Sequence, residues 1–577
     1  MIIFGSRRKH TQDGTAAYIL TALLVIQTTL LGWSAFSNSA VVDEIAHLPA
    51  GISHWKFGRF DLYRVNPPLV RSMAAIPVLF TDCEQDWTLY QSAPLAREEF
   101  SVGKAFVKAN GFRYFHYVSI ARLACIPFSW VGMLCCYRWG RDLSGCRAGL
   151  LAAALWAVSP TMLAHGALIT PDLGAAALGV TSAHHFWKWL RAPTWPAAIT
   201  AGLTLGLAQL TKTSWVILFL VWPGVFVVSS LFRVAGARGS RCCPRTEGSG
   251  MKDCVQLATT LSIGIFILNA GYLFEGSFKP LGTYQFTCST LTGHEIDDAE
   301  QRHKNRFVGT ILHWLPVPLP TSYVEGLDLQ KRDCETGQPA YLRGQWRNEG
   351  WWYYYLYGLA VKVPLGTLLM AVLSSISTGR LYWRQKRIEA HLLALMAPPL
   401  CLLVLVSMQT GLNKHFRYVL PVLPFLYISV AAVAAKTAPN TRALFCVLLL
   451  WSTISSLRVC PKSLVYFNEL AGGPENGAFH LLDSNLDWGQ SLIALREWDD
   501  SRIDNLPLYV SYSGLFELPD VGFQCQTISG LSCDPRPGWY AISVNRLYGT
   551  RGFPEFSRRR TPERILAHSM ALFLVEE

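Results

Sequence analysis

The stretch 15–51, TAAYILTALLVIQTTLLGWSAFSNSAVVDEIAHLPAG, joins a long apolar run to an acidic pair. Residues 15–37 are about 23 mostly apolar positions, enough for a helix that crosses a bilayer. Asp43, Glu44 and His47 follow where the chain should leave the hydrocarbon. Because the basic segment SRRKH (6–10) precedes the run, we predict a retained first transmembrane helix, with a signal peptide as the alternative.

The composition of the whole chain points to a membrane protein. Of 577 residues, 51% are hydrophobic and only 16% are charged, and mean hydropathy is +0.24. Soluble proteins carry about 25% charged residues. The net charge of +12 is attributed to cytoplasmic anchoring loops, and nucleic-acid binding is excluded, because no soluble basic domain is evident.

Apolar runs predict about eleven spans, and lysine and arginine in the connections orient them. One topology, with the N-terminus cytoplasmic, puts the basic clusters inside and segments 38–112, 276–353 and 459–577 outside. We therefore predict a multi-pass protein of the plasma or bacterial inner membrane. The predicted spans are 15–37, 116–137, 148–167, 172–190, 195–211, 213–232, 254–275, 354–378, 391–410, 418–435 and 441–458.

The predicted fold is mainly α, with a polytopic helical bundle at 1–458 and a small extracytoplasmic α/β domain at 459–577. Within the first external loop, the short apolar segment 66–80 predicts an interfacial or re-entrant helix that begins after Pro67 and Pro68. In the tail, 482–498 predicts a capped amphipathic helix, and 506–514, 539–549 and 568–577 predict strands.

Several basic residues fall at membrane depth or at the predicted outer surface. Arg122 lies inside the second span, Lys212 between two spans, and His415 and Arg417 at the outer end of a span. Cations beside apolar helices suit a lipid phosphate, whose tail stays in hydrocarbon while its headgroup meets the basic side chains. The alternative is that these long side chains only reach toward the interface.

The acidic residues on the same predicted face could serve as a base. Sugar transfer needs a group that takes the acceptor's hydroxyl proton and cations that stabilise a departing phosphate. Asp43, Glu44 and Asp172 are the candidates. Asp43 could instead be a solvated loop residue, and Asp172 could be a helix N-cap.

Two further ligand sites are open at this point. Asp43, Glu44, His47 and His54 offer oxygen and nitrogen ligands for a divalent metal ion, although Pro49 interrupts a single helical face. In the tail, the acids of LLDSNLDWGQ (481–490) suggest calcium or sugar binding, and helix capping by Ser484 or Asp487 accounts for them equally.

The segment 43–71, DEIAHLPAGISHWKFGRFDLYRVNPPLVR, resembles the first external loop of GT-C glycosyltransferases of the protein O-mannosyltransferase type. Segments 152–172, 206–215 and 415–426 are also similar to bacterial members. The resemblance implies an inverting transferase that moves a hexose or pentose from a polyprenyl-phosphate donor to a protein, lipid or glycan acceptor outside the cytoplasm. A divalent metal ion at the site named above is the one cofactor that the sequence leaves open.

The resemblance also implies roles for individual residues. Asp43 matches the catalytic carboxylate and Glu44 its helper. Asn66 stands where the mannosyltransferases have histidine, and 276–353 is too short for their β-trefoil domain, so protein mannosylation itself is disfavoured. The implied donor-phosphate ligands are Arg122, Lys212, Arg417 and His415, and the implied supporting residues are Asp172, Asn66, Arg71 and His47.

A transporter or flippase of a lipid-linked substrate is the second hypothesis, and a membrane scaffold the third. Transporters typically show internal repeats and broken helices at corresponding positions. The sequence shows no repeat, and its acids cluster in external loops. The glycosyltransferase hypothesis therefore leads.

Overall fold

A computed structural model describes residues 2–91, 95–237, 249–293, 304–385, 392–528, 535–549 and 560–576, and helices dominate it. The helices are α1 (Ile2–Ser37), α2 (Val42–Phe57), α3 (Leu69–Val78), α4 (Glu99–Asn110), α5 (Arg113–Leu123), α6 (Ile126–Ser144), α7 (Cys146–Val158), α8 (Pro160–Gly166), α9 (Pro171–Arg191), α10 (Trp195–Gln209), α11 (Leu218–Ala237), α12 (Ser249–Gly271), α13 (Ser289–Thr292), α14 (Thr321–Thr336), α15 (Tyr354–Lys362), α16 (Leu365–Gln385), α17 (Leu393–Met408), α18 (Leu423–Ala434), α19 (Pro439–Leu457), α20 (Leu492–Asp500) and α21 (Val544–Leu547).

Within the described residues, six helices are long and apolar enough to cross a membrane, or eight if each of two bent pairs is one span. The chain is thus a multi-pass membrane protein. Of the other predicted spans, 172–190, 195–211 and 391–410 form α9, α10 and α17, which do not meet this criterion. The number eleven therefore stays a prediction. The six spans are Gly14–Ser37, Arg113–Ser144, Thr213–Phe232, Gly250–Gly271, Phe416–Ala434 and Pro439–Leu457.

The first long connection folds into helices that lie against one another. The predicted short helix after Pro67 and Pro68 is confirmed as α3, which packs on α2. Gly51 permits this contact, because a Cβ there would lie 2.2 Å from the carbonyl oxygen of Arg71. The expectation that Pro49 interrupts the helical face is wrong, since α2 runs through Pro49.

The C-terminal region contains a mixed five-stranded sheet in the order β4-β3-β5-β7-β6. Strands β3 and β5 pair in parallel, and β7 pairs antiparallel with β5 and β6. The predicted strands at 506–514 and 568–577 are present, as nearly continuous apolar runs typical of strands covered on both faces. Of the predicted strand at 539–549, only the part up to Ser543 is present, since Val544–Leu547 form α21. The strands are β3 (Leu508–Ser511), β4 (Gln526–Thr527), β5 (Gly538–Ser543), β6 (Arg564–Leu566) and β7 (Met570–Val575), with a separate hairpin of β1 (Ala340–Leu342) and β2 (Gln345–Arg347).

The sheet shares a hydrophobic core with the first external loop. Leu508 and Leu572 of the sheet belong to the same buried cluster as Ile45 of α2 and Val102 of α4. The predicted helix over 482–498 is only partly present, since α20 begins at Leu492. Residues 482–491 are instead short turns that pack against the helical region, so the tail contacts both loops and bundle.

Candidate functional site

Four charged side chains from distant parts of the chain meet in one cluster, called the charge cluster below. Arg417 Nη2 lies 2.9 Å from Asp43 Oδ2, and Arg417 Nη1 lies 3.3 Å from Asp172 Oδ2. Lys212 Nζ lies 2.6 Å from Asp172 Oδ1. Two carboxylates and two cations therefore balance, as buried charges must. Asp43 keeps 14% of its side chain exposed, whereas Asp172 is fully buried.

Helix starts position the two carboxylates of the charge cluster. Asp43 lies in the first turn of α2, and Asp172 lies in the first turn of α9, after the N-cap Thr170 and Pro171. The alternative that Asp172 caps a helix is thus wrong; its carboxylate binds Lys212 and Arg417. All four segments were predicted to lie on one face of the membrane, and the structure brings them together.

Aromatic rings cover the cations of the charge cluster. The Arg417 guanidinium lies 4.3 Å from the ring centre of Trp488 and 5.5 Å from that of Tyr418. Lys212 Nζ lies 4.7 Å from the same Tyr418 ring. Such contacts hold a cation in place by electrostatic attraction to the ring face. They fix the position of Arg417 between its two carboxylates.

The environment of Asp43 suits a carboxylate that accepts a proton. Burial raises the pKa of Asp43 above its usual value, and the charge of Arg417 opposes that rise. Among the acids of the charge cluster, Asp43 alone combines partial exposure with a position at the edge of the cluster. A substrate hydroxyl could therefore reach it.

Glu44 and Arg122 form a separate, fully buried ion pair. Arg122 Nε and Nη2 donate to the two Glu44 carboxylate oxygens at 2.9 and 2.6 Å. Its remaining donors bind the carbonyl oxygens of Ala35, Asn38 and Ser39. This fork geometry satisfies all five donors of the guanidinium.

The predicted roles of this pair do not fit these contacts. Arg122 has no donor left for a phosphate and no exposed surface. Glu44 also accepts hydrogen bonds from the backbone N–H groups of Val41 and Ile169, so it cannot assist Asp43. The pair instead ties the end of α1, the start of α2, α5 and the segment before α9 together.

The predicted supporting residues lie beside α2. His47 is buried against Tyr63 with ring centres 4.7 Å apart, and neither of its nitrogens has a hydrogen-bond partner within the described residues. Arg71 donates from Nε to His54 and from Nη1 to the carbonyl oxygen of Tyr63. Asn66 is half-buried, and its backbone N–H donates to Tyr63. Arg71 and His47 therefore border the site through Tyr63 and do not enter the charge cluster.

The proposed metal ligands do not converge. Glu44 is occupied by Arg122, and the two ring nitrogens of His54 bind Arg59 O and Arg71 Nε. Burial beside Arg71 holds the pKa of His54 well below its usual value, so it is neutral and already fully bonded. Across the described ranges, no group of three histidine, cysteine or acidic side chains could hold a metal ion. These contacts contradict the predicted metal site at Asp43, Glu44, His47 and His54.

His415 lies near the charge cluster but faces another acid. Its Nδ1 lies 2.6 Å from the Ser484 hydroxyl and 3.6 Å from Asp483. Lys414 lies 3.2 Å from the same Asp483. Burial keeps the pKa of His415 well below its usual value. Burial also opposes the charge of Asp483, but the charge of Lys414 and the hydrogen bond from the Ser484 backbone N–H outweigh it and hold the pKa of Asp483 at about 2. The predicted phosphate contact of His415 would need the neutral imidazole to turn away from Ser484.

Residues 483–490 of the tail form one wall of the site, which the sequence did not indicate. The backbone N–H groups of Val42 and Ser39 donate to the carbonyl oxygens of Trp488 and Gln490. Trp488 in turn covers Arg417. Ser484 and Asp487 cap no helix, because α20 begins after Ser491. The density of polar residues in DSNLDWGQ was the signal available for this role.

Asp487 gives a prediction about stability. Burial raises its pKa to about 6 from 3.8, although Ser543 and the backbone N–H of Gly489 donate to it. Between these values the folded protein keeps a proton that the unfolded chain releases, so stability falls as pH rises from about 4 to 6 and stays lower above.

Replacing Asp487 with asparagine should remove that fall and stabilise the protein at pH 7. The gain should be at most about 3 kcal/mol, since one pKa unit corresponds to about 1.4 kcal/mol. Thermal unfolding in detergent at pH 4.5, 5.5 and 7 measures it. An unchanged pH dependence in the variant would rule out Asp487 as its source.

Comparison with known protein families gives a match for part of the chain. Residues 116–235 match the family described as dolichyl-phosphate-mannose-protein mannosyltransferase, which confirms the resemblance over those residues. No curated protein matches the chain significantly.

Solved structures cover nearly the whole chain at low identity. The chain is similar to ArnT from Cupriavidus metallidurans bound to undecaprenyl phosphate, at 12% identity and TM-score 0.44, over 97% of each chain. It is also similar to the oligosaccharyltransferase AglB from Archaeoglobus fulgidus in complex with an inhibitory peptide and a dolichol-phosphate, at 9% identity and TM-score 0.43, over 94% of this chain and 72% of that chain.

Proposed function

We propose that this protein is a GT-C glycosyltransferase that moves a sugar from a polyprenyl-phosphate carrier to an acceptor on the extracytoplasmic face. The observation that carries the proposal is the charge cluster, in which a partly exposed carboxylate shares an arginine with a buried carboxylate–lysine pair. The family match over residues 116–235 supports the same activity. The sugar is a hexose or pentose, and the acceptor is a protein, lipid or glycan.

Asp43 acts as the general base in this proposal. It takes the proton of the acceptor hydroxyl as that oxygen bonds to the anomeric carbon of the sugar. The bond between the anomeric carbon and the phosphate oxygen breaks, and its electron pair stays on the phosphate. Attack opposite the leaving phosphate inverts the anomeric configuration. Arg417 and Lys212 pair with Asp43 and Asp172, and in this proposal they stabilise the charge that develops on the phosphate.

The proposal also covers how the chain is arranged across the membrane. Residues 1–458 form the catalytic membrane region, and the part from 459 lies outside the cytoplasm, with the N-terminus inside. Trp488 brings the tail into the site, because it covers Arg417. The tail therefore helps to build the donor site as well as covering it.

A transporter is the competing proposal, favoured by two bent helix pairs. Cys146–Val158 and Pro160–Gly166 bend by 60°, and Tyr354–Lys362 and Leu365–Arg380 bend by 115°. Broken helices are common in transporters of this kind.

Proteoliposomes that contain a radiolabelled polyprenyl-phosphate sugar separate the two functions. With a membrane extract as acceptor source, a transferase releases polyprenyl phosphate and labels a second product. A transporter moves the labelled lipid between leaflets and leaves it intact. Movement without consumption, across a panel of donor sugars, would overturn the transferase proposal.

A further inference from the structure

A polar cleft lies next to the charge cluster and shares Arg417 with it. It is enclosed by α8, the end of α15, the segment 463–466 and the turn at 484–485. Its walls carry hydroxyl, amide, imidazole and ammonium groups, together with three apolar side chains. The lining residues are Thr161, Ala164, His165, Lys362, Phe416, Arg417, Ser463, Leu464, Tyr466, Ser484 and Asn485.

Lys362 in this cleft is a buried cation without a counter-charge. Its Nζ donates to the carbonyl oxygens of Leu464 at 2.9 Å and Asn485 at 2.7 Å. An ammonium has three donors, so these two bonds leave one, and the nearest aromatic ring, that of Phe467, has its centre 4.3 Å from Nζ. No carboxylate of the described residues lies within 4.0 Å of it. The buried Arg417 and Lys212, by contrast, each have at least one.

Two other buried polar atoms of the cleft, His165 Nδ1 and Ser463 Oγ, have no hydrogen-bond partner in the described part of the chain. Such groups are costly to bury unless something binds them. Together with Lys362, they form a built site that prefers a hydrogen-bonding anion.

The balance of charges indicates which anion fits. Asp43, Asp172, Arg417 and Lys212 cancel, and Lys414 cancels Asp483. Within the cleft and the charge cluster, Lys362 therefore leaves one positive charge uncompensated. A phosphodiester carries one negative charge, and its free oxygens accept hydrogen bonds from ammonium and hydroxyl groups.

We propose that the cleft around Lys362 binds the phosphate group of the lipid-linked substrate, with Lys362 as its principal cation. This rests on the proposed function and gives Lys362 the role that the sequence assigned to Arg122. Arg417 then lies between the phosphate and Asp43. When Asp43 gains the acceptor's proton, it loses its charge, and Arg417 becomes free to meet the second negative charge of the departing phosphate.

Binding of undecaprenyl phosphate to the purified protein in detergent tests the proposal, with undecaprenol and inorganic phosphate as the other probes. The wild type should bind the lipid phosphate more tightly than the alcohol. Lys362→Met should weaken lipid-phosphate binding by about 10- to 100-fold and leave binding of the alcohol unchanged, because only the phosphate needs the cation. Lys362→Arg should keep most of the preference.

A control variant excludes a general effect of charge loss or unfolding. Lys331 lies on α14 and pairs with Glu335, with 42% of its side chain exposed, so Lys331→Met should bind as the wild type does. Inorganic phosphate competing as well as the lipid would show that the site takes free phosphate, which contradicts a lipid substrate.

Equal binding of undecaprenyl phosphate to Lys362→Met and wild type would overturn the assignment. If no sugar is transferred but binding still depends on Lys362, the proposed function fails while the phosphate site stands. If sugar transfer depends on Asp43 but lipid-phosphate binding is the same in Lys362→Met and wild type, the proposed function stands and the phosphate site at Lys362 fails.

Discussion

Arg122→Met should destabilise the protein by about 3–5 kcal/mol, because it leaves the Glu44 carboxylate buried without its partner. The pair has no exposed surface, and the guanidinium also binds three carbonyl oxygens at the end of α1 and beyond. Loss of all these contacts removes the junction between α1, α2 and α5. The apparent melting temperature in detergent should fall sharply, and much of the expressed protein should fail to fold.

An exposed ion pair provides the matched control for Arg122. Asp500→Asn breaks the pair with Arg496, in which 38% and 63% of the two side chains are exposed. Exposed pairs contribute less than about 1 kcal/mol. If Arg122→Met melted like the wild type and lost only lipid-phosphate binding, Arg122 would be a phosphate ligand and the structural role would be wrong.

Asp43→Asn should lower the rate of sugar transfer by about 100- to 10,000-fold, the usual contribution of a general base. The variant should still fold and still bind undecaprenyl phosphate, because the asparagine is isosteric and Lys362 is untouched. Product formation from a radiolabelled polyprenyl-phosphate sugar measures the loss. The control is Asp86→Asn, at a half-buried acid of the same external loop whose carboxylate accepts hydrogen bonds from Thr88, and it should transfer at the wild-type rate.

The pH dependence of the wild-type rate follows from the same group. The base works only when deprotonated, and burial raises the pKa of Asp43. The rate should therefore fall as pH drops through a value above the ordinary range of aspartate. An acid limb that is identical in wild type and Asp43→Asn would assign the titration to another group.

Membrane character, the short helix α3 and three tail strands could be predicted from the sequence, because apolar runs and turn residues are local signals. For the charge cluster, the sequence predicted only that its four side chains lie on the same face of the membrane. Their pairing depends on how helices pack over long sequence distances, which one sequence does not record.

The roles predicted for single residues failed for the same reason, since they too depend on long-range packing. Arg122 and Lys212 look alike in sequence, since both are single cations among apolar residues. Only the fold shows that Arg122 meets a buried glutamate with every donor used, whereas Lys362 meets two carbonyl oxygens and the Phe467 ring but no carboxylate of the described residues. The contact of Trp488 with Arg417 could not be predicted either, because the sequence predicted a continuous helix over 482–498, whereas 482–491 form short turns.

A single-turnover experiment tests the central claim most directly. Wild type and Asp43→Asn, each saturated beforehand with a radiolabelled polyprenyl-phosphate sugar, receive acceptor extract, and release of polyprenyl phosphate is followed with time. Because the donor is already bound and the acceptor extract is supplied in excess, the rate reports the transfer step without donor binding. The account predicts rapid release by the wild type and release slowed by at least about 100-fold in the variant. Equal rates in the two proteins would contradict it.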